Sequence, residues 1–258
     1  MIEQFFRPES VQQALELKRQ FLDEAVYVGG GSKLNAAPTR TSKRVGISLA
    51  RLGLNDVSWQ DGQLHIGAMV TLQALIDTPL IPQALRDAPG FVYSRHVRNQ
   101  ATLGGEIAAQ QQESVLLPVL LALDANVVTA GGNTVEIEDY LNSPRHELLL
   151  KVVLPDPYRR CATRKVARSA AGLAVLTAAV SLSDAAGMRV ALDGVAQGTI
   201  RLRDAEKSGL ENAALEQVVS ASIAPQDDIC GSAVYKRYIA GVVVADLLAD
   251  CRQMQEGQ

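Results

Sequence analysis

The chain has 258 residues, of which 47% are hydrophobic and 21% charged, as in an ordinary globular protein of one or two domains. Its net charge of −3 and aromatic content of 4% argue against a surface for nucleic acid or an anionic membrane. The three dispersed cysteines form no CxxC pair, which excludes a zinc or iron–sulfur site built from this chain alone: Cys161, Cys230 and Cys251.

Nothing in the sequence predicts a targeting or membrane segment. The first ten residues, MIEQFFRPES, lack an apolar stretch of signal-peptide length. The uncharged run over residues 169–183 is too short to span a bilayer. Because free thiols suit a reducing compartment, we expect a cytoplasmic protein.

The first part of the chain predicts helix, strand, glycine loop and helix. Apolar residues recur at helical spacing over residues 9–22, with Ser10 as the N-cap. A short strand then ends at Val28, before three glycines. Residues 48–54 predict a short helix closed by Gly53.

Turn signals then predict a hairpin and further strands. Residues 57–67 have β-type residues on both sides of Asp61-Gly62, a strong hairpin signal. Gly131-Gly132 lies between two β-type runs and is interpreted as a second turn. Helices are predicted over residues 70–80 and 115–125, and strands over residues 126–130, 134–137 and 147–154.

The pattern changes near Pro155-Asp156-Pro157. Beyond it, strands are predicted over residues 160–168, 173–183 and 188–192, and helices over residues 211–222 and 231–255. Strands followed by helices are typical of an α+β domain, so we place a domain boundary near residue 155.

The glycine loop Val28-Gly29-Gly30-Gly31-Ser32-Lys33-Leu34 matches neither of two phosphate-binding templates. Leu34 stands where a dinucleotide fingerprint needs glycine, and the order Gly-Ser-Lys differs from the Walker order. Consecutive glycines can still aim successive N–H groups at one anion, and Ser32 adds a hydroxyl. A plain turn is the competing interpretation.

A second glycine pair strengthens the anion-site interpretation. Thr102-Leu103-Gly104-Gly105 follows the polar approach Arg98-Asn99-Gln100, and no matching strand pair flanks it. Two glycine-and-hydroxyl loops can hold one extended diphosphate from two sides.

Four motifs in order carry a family resemblance: VGGGSKL, LHIGAMVTLQAL, VRNQATLGGEIA and LLPVLLALDANVV. Together with KVVLP, RKVARSAAGLAV and GSAVYKRYIAGVVVADLL, they resemble the FAD-binding medium subunit of the molybdenum hydroxylases, the xanthine dehydrogenase and carbon monoxide dehydrogenase group. The resemblance covers essentially the whole chain. It implies an α+β fold with a two-lobed FAD-binding domain of the PCMH/vanillyl-alcohol-oxidase type over residues 1–154, with lobes of about 1–54 and 55–154. A C-terminal α+β domain, an antiparallel sheet with helices, follows over residues 155–258.

The resemblance also implies the FAD contacts. The first loop and its approach would lie along the diphosphate, the second loop would reach toward the flavin, Lys165 would lie near the isoalloxazine, and Leu154 near the adenine or ring system. The implied cofactor-binding residues are Val26, Tyr27, Val28, Gly29, Gly30, Gly31, Ser32, Lys33, Thr102, Leu103, Gly104, Gly105, Glu106, Leu154 and Lys165.

The sequence departs from the family pattern in two places. The family's TIGGN ends here in Glu106, which adds repulsion on the order of 1 kcal/mol beside a diphosphate, and Lys33 can offset it. In the run Gln110-Gln111-Gln112-Glu113-Ser114-Val115, Val115 aligns with an aspartate that bonds the cofactor. Glu113 replaces that aspartate, or the contact is lost.

Other polar residues give weaker signals. His65, His96 and His146 are too dispersed to predict a metal site, although His96, Arg95 and Arg98 form either a phosphate rim or a solvated turn. Tyr93 is interpreted as core rather than a flavin-stacking ring, and Cys161 as a buried small residue rather than a reactive thiol. Strand alternation places Arg160, Arg164 and Arg168 on one face, and Arg159 and Lys165 on the other.

No catalytic acid, base, nucleophile or metal constellation stands out, which is consistent with a flavin that performs the redox chemistry. The resemblance implies an oxidoreductase subunit that passes electrons from an iron–sulfur (2Fe–2S) subunit, fed by a molybdenum-cofactor subunit, through FAD to NAD or another acceptor. Two alternatives stay open: a degenerate scaffold subunit that has lost or weakened FAD binding, and a non-redox binder of another nucleotide diphosphate.

Overall fold

The computed structural model describes residues 2–34, 36, 41–110, 113–143 and 147–254. Three sheets organise these residues: a three-stranded sheet, a five-stranded sheet and a four-stranded sheet, in chain order of their first strands. No helix among the described residues is both long and apolar enough to cross a membrane. The mixed helix and sheet content confirms the predicted α+β class.

The first sheet is parallel and small. Its strands are β1 (Gln4–Phe6), β2 (Ala25–Val28) and β3 (Val45–Ser48), in the order β1-β3-β2. Helix α1 (Val11–Phe21) covers it, and the Ser10 hydroxyl accepts a hydrogen bond from Gln13 N at 3.2 Å, as the N-cap prediction requires. A 3₁₀ turn over Leu22–Glu24 leads into β2, which ends at the glycine loop.

The helix predicted over residues 48–54 is wrong. Ser48 ends β3, and the chain then turns to Gly53, whose φ is +67°. The apolar spacing there is helical, but β3 lies between β1 and β2, where all four of its residues are buried. Leu49 N also donates to Val28 O at 2.9 Å, so pairing with β2 extends into the first residues of the predicted helix.

The second sheet is antiparallel and holds the predicted hairpins. The turn residues Asp61 and Gly62 have φ values of 52° and 78°, as a type I′ turn requires. Its strands are β4 (Val57–Gln60), β5 (Gln63–Gly67), β6 (Asn126–Thr129), β7 (Thr134–Glu136) and β8 (Leu149–Leu154), in the order β4-β5-β8-β6-β7.

Six short helices belong to this second lobe. The two predicted ones are α2 (Leu72–Asp77), capped by Thr71, and α6 (Leu117–Ala122), with Pro118 in its first turn. Four more were not predicted: α3 (Gln83–Gly90), α4 (Arg95–Gln100), α5 (Leu103–Ala109) and α7 (Ile137–Asn142).

The C-terminal region is the predicted antiparallel sheet with helices. Strands β9 (Arg160–Ala167), β10 (Ala174–Ser183), β11 (Gly187–Asp193) and β12 (Ile200–Arg201) lie in the order β12-β11-β10-β9. Helices α8 (Arg203–Ser208), α9 (Asn212–Ala221) and α10 (Ala233–Gln253) follow.

Strand β10 separates two cores. Ala178 and Val180 belong to the core beneath α10, whereas Ala179 joins the core of the second lobe. On that second-lobe side, the buried Ser181 hydroxyl donates to Ala122 O at 2.6 Å. The C-terminal sheet therefore packs directly against the lobe that carries the second glycine pair.

Candidate functional site

The first glycine loop is held against the chain just before the second. A Cβ placed on Gly30 would lie 1.5 Å from Gln100 O, and one on Gly29 would lie 2.9 Å from Thr102 Oγ1. Gly31 has a φ of +72°, a conformation that L side chains rarely adopt. Glycine is therefore needed here for close backbone approach at Gly30 and for backbone conformation at Gly31.

The backbone of this loop offers hydrogen-bond donors. Within the described part of the chain, no acceptor pairs with the N–H groups of Gly29, Gly30, Gly31 or Ser32. Consecutive free N–H groups on a loop without side chains form a concave anion site. These donors fit a diphosphate.

The second glycine pair opens helix α5 and plays a different part. The Thr102 hydroxyl caps the helix by accepting from Gly105 N at 3.1 Å. Leu103 N donates to Val70 O at 2.9 Å and Gly104 N to Ala68 O at 2.8 Å. Because its amides are already bonded, this loop forms a wall of the site and offers none of these donors to an anion.

The two loops meet at one pocket of about 280 Å³. The joint site predicted from two separate motifs is thus brought together by the fold. Its lining residues are Val26, Tyr27, Gly29, Gly30, Gly31, Ser32, Lys33, Leu34, Thr102, Gly105, Glu106, Ala108 and Ala109.

Among these lining residues, Leu34, Ala108 and Ala109 were not predicted. The two alanines follow Gly105 by three and four positions on α5, so they lie on the same helix face. The run of small side chains after the glycine pair was the available signal, because small residues leave the pocket open.

One ion pair spans the pocket. Lys33 Nζ lies 2.9 Å from Glu106 Oε2, with side-chain exposures of 26% and 7%. Lys33 therefore lies where its charge acts on Glu106. Lys33 is the only cationic side chain and Glu106 the only acidic one among the lining residues described.

Five predicted contacts, Lys165 among them, do not line this pocket. Leu103 and Leu154 have no exposed surface, since both are packed in the core of the second lobe. Gly104 is buried and lines a neighbouring cavity instead, and Val28 precedes the pocket without lining it. Apolar burial explains the leucines: neither has an atom left for a ligand in this conformation.

Lys165 also lies elsewhere. Its Nζ donates to Phe91 O at 3.2 Å across the junction of β9 and the second lobe. Burial lowers the pKa of Lys165, and Glu113 raises it to a smaller extent. Lys165 thus lies at the junction of the C-terminal sheet and the second lobe and does not line the pocket shared by the two glycine loops.

Glu113 and Val115, from the run after α5, do not line this pocket. Gln111 and Gln112 lie outside the described residues, and Val115 is 6% exposed in the core. Glu113 N donates to Asp193 Oδ1 at 2.7 Å, and burial followed by the Asp193 charge raises the Glu113 pKa. Glu113 lines a different pocket, away from the two glycine loops.

The two described histidines lie on separate elements. His65 lies on β5, and its buried Nδ1 has no hydrogen-bond partner; burial lowers its pKa. His96 is exposed on α4, and His146 lies outside the described residues. No group of three or more His, Cys, Asp or Glu suited to a metal occurs among the described residues.

The basic approach to the second loop is structural. Arg98 donates from Nη1 to Val92 O at 2.6 Å and to Tyr93 O at 3.1 Å, which ties α4 to the preceding turn. Tyr93 itself is 68% exposed, so its assignment to the core is wrong. Neither residue lines the pocket shared by the two glycine loops.

The alternation predicted for the basic strand is confirmed for the residues that make contacts. Arg164 pairs with Asp246 and Asp250 of α10 at 2.9 Å and 3.0 Å, whereas Lys165 points to the second lobe. Cys161 is buried, and desolvation raises its thiol pKa well above the ordinary range. Cys161 is thus the buried small residue that the sequence predicts.

The geometry as a whole suits binding rather than catalysis by side chains. Free backbone donors, one cation and walls of small residues can hold and orient an anionic cofactor. Such a site leaves the reaction to the cofactor it holds.

Comparison with known proteins agrees with this geometry. Residues 1–157 match the family described as the FAD binding domain in molybdopterin dehydrogenase. The chain is 63% identical over 256 residues to the uncharacterized protein YgfM of Escherichia coli K12, covering 99% of both chains. It is 24% identical to the glyceraldehyde dehydrogenase medium chain of Sulfolobus acidocaldarius, covering 93% of this chain and 94% of that one.

A solved structure extends the likeness to the whole fold. A chain of carbon monoxide dehydrogenase from Hydrogenophaga pseudoflava superposes with a TM-score of 0.87 at 25% identity, covering 98% of both chains. The FAD-binding subunits of molybdenum hydroxylase-type dehydrogenases are therefore the family to which this chain belongs.

Proposed function

We propose that this chain is the flavoprotein electron-transfer subunit of a molybdenum hydroxylase-like oxidoreductase, with the FAD diphosphate seated on the first glycine loop. The observation that carries the proposal is the row of unpartnered N–H groups from Gly29 to Ser32 at a pocket shared with the second loop. Bound FAD supplies hydride and electron transfer.

The chain's own residues would supply binding and position. N–H groups of the first loop donate to phosphate oxygens, and Lys33 adds the pocket's positive charge. Thr102 fixes the start of α5, so the wall facing the loop is rigid. Small residues at Gly105 and Ala108 leave room for the extended cofactor.

Partners follow from what the sequence lacks. Three dispersed cysteines cannot ligate an iron–sulfur cluster, so electrons would come from a 2Fe–2S subunit that is in turn supplied by a molybdenum-cofactor subunit. A soluble acceptor such as NAD would take the electrons from the flavin. The likeness to the carbon monoxide dehydrogenase chain supports this arrangement.

A scaffold subunit without cofactor is the second candidate, and two observations favour it. The carboxylate of Glu106 lies in the pocket that would receive the diphosphate, and Val115 is buried where the family places a cofactor-bonding aspartate. Both changes weaken FAD binding relative to the family pattern.

An FAD titration decides between the two candidates. The purified chain is examined by visible absorption, any released cofactor is identified by chromatography, and the stripped protein is titrated with FAD. Stoichiometric binding, with bleaching of the flavin band by NADH under anaerobic conditions, supports the redox subunit and its acceptor. A colourless chain that takes up no added FAD supports the scaffold.

A further inference from the structure

We propose that the Lys33–Glu106 ion pair competes with the diphosphate for its own pocket, so that cofactor binding requires Lys33 to exchange a carboxylate for a phosphate. This inference rests on the proposed function of the site. It makes Glu106 the residue that sets how tightly the free chain holds a diphosphate ligand.

The two partners belong to the two loops that form the pocket. Lys33 follows the free N–H groups of the first loop, and Glu106 lies in the first turn of α5. Their 2.9 Å contact joins the loops across the cavity. The Glu106 carboxylate is thus already paired with Lys33, the cation next to the free N–H groups of the first loop.

Glu106 is held in place as well as paired. Its side chain is 7% exposed, and its N–H donates to Thr102 O at 2.9 Å in the first turn of the helix. A carboxylate so desolvated depends on its cation, because an unpaired buried charge is costly. A diphosphate entering the pocket meets both the repulsion of Glu106 and the need to displace it from Lys33.

Charge balance makes the exchange necessary. Lys33 is the only cation among the described lining residues, so it cannot fully neutralise Glu106 and a diphosphate together. The lysine is 26% exposed on a long side chain, which can turn from the carboxylate toward the loop. Neutralising Glu106 removes the carboxylate that competes with the phosphates for Lys33.

The test compares the wild-type chain with Glu106→Gln, using FAD, ADP and riboflavin as ligands. FAD and ADP carry the diphosphate, whereas riboflavin lacks it. Glu206→Gln is the matched control, because Glu206 is equally exposed at 7% and is ion-paired with Arg201 at 2.7 Å, outside the pocket. Dissociation constants are measured by fluorescence titration, and thermal unfolding checks that each variant is folded.

We expect Glu106→Gln to bind FAD and ADP about tenfold more tightly than wild type, while riboflavin binding is unchanged. The gain should shrink as salt is added, since screening weakens the repulsion that the substitution removes. Glu206→Gln should leave all three affinities at the wild-type values.

Lys33→Met gives a second, independent arm. It should weaken FAD and ADP binding, and Lys33→Met/Glu106→Gln should recover most of that loss, because the stranded carboxylate is gone. This double variant also serves if Glu106→Gln alone is unstable. Equal effects of Lys33→Met with and without Glu106 would overturn the competition.

The remaining outcomes separate the inference from the proposed function. Tight FAD binding by wild type with no gain in Glu106→Gln overturns the inference and leaves the function standing. Weaker FAD binding with unchanged ADP binding would assign Glu106 to the ribityl hydroxyls and also overturn it. If no variant binds FAD or ADP, the proposed function fails as well.

Discussion

Gly30→Ala is the sharpest test of how the fold builds the pocket. The added Cβ would lie 1.5 Å from Gln100 O and 2.4 Å from Gln100 C. Both atoms belong to the backbone, so no side-chain rotation can relieve the overlap. Reaching a normal contact distance of about 3.5 Å requires the loops to separate by about 2 Å.

That separation has two measurable costs. Overpacking of this kind lowers the free energy of unfolding by about 1–3 kcal/mol. A loop displaced by about 2 Å also takes its N–H groups out of hydrogen-bond range of a phosphate, and one lost charged hydrogen bond is worth about 1.5–3 kcal/mol. We therefore expect FAD affinity to fall at least about tenfold.

The assay pairs urea unfolding, followed by circular dichroism, with an FAD titration of the folded chain. Gly90→Ala is the matched control, because a Cβ there meets nothing within 4 Å and Gly90 ends helix α3. It should keep wild-type stability and affinity. If Gly30→Ala also keeps both, the close approach of the two loops does not shape the site.

Two further predictions concern buried titratable groups. Burial raises the pKa of Asp193, which accepts from the Thr199 hydroxyl, so the native state binds its proton more strongly than the unfolded state. Ionisation of Asp193 therefore lowers the free energy of unfolding as pH rises above 3.8, the ordinary pKa of an aspartate. In urea unfolding, the stability of Asp193→Asn relative to wild type should increase from about pH 4 to 7. A relative stability that falls over this range would contradict the prediction. Iodoacetamide should modify one thiol of the folded chain, as seen by mass spectrometry, because Cys161 and Cys251 are buried while Cys230 is partly exposed. Desolvation raises the pKa of all three thiols, that of Cys251 to about 11, so accessibility sets the selectivity. Two or more adducts on folded protein would refute that accessibility.

Local patterns predicted most of the longer elements. The Asp61-Gly62 hairpin, the β9 to β11 meander and helix α10 each carry their signal within a few turns of chain, as periodicity or as a turn dipeptide. The helix predicted over residues 48–54 is wrong because the structure there depends on contacts distant in sequence. The strand before them pairs Val45 with Gln4, a parallel contact that no local pattern encodes.

The candidate site also has features that the local sequence predicts and features that it does not. Glycine content identified both loops, and opposite charge identified the Lys33–Glu106 pair. The different parts of the two loops were not predictable, because the amides of Leu103 and Gly104 are satisfied by carbonyls of a distant segment near Val70. Side-chain burial was not predictable either. Leu154 was expected to contact the ligand, but it is fully buried by the fold.

The two buried faces of strand β10 have a mechanical consequence. Since Ala178 packs beneath α10 and Ala179 enters the core of the second lobe, neither core is complete without the same strand. A hinge motion between the second lobe and the C-terminal sheet would expose one buried face of β10 to water. The C-terminal sheet thus fixes the position of the second lobe, which carries α5. The two should unfold in one cooperative step rather than move apart as rigid bodies.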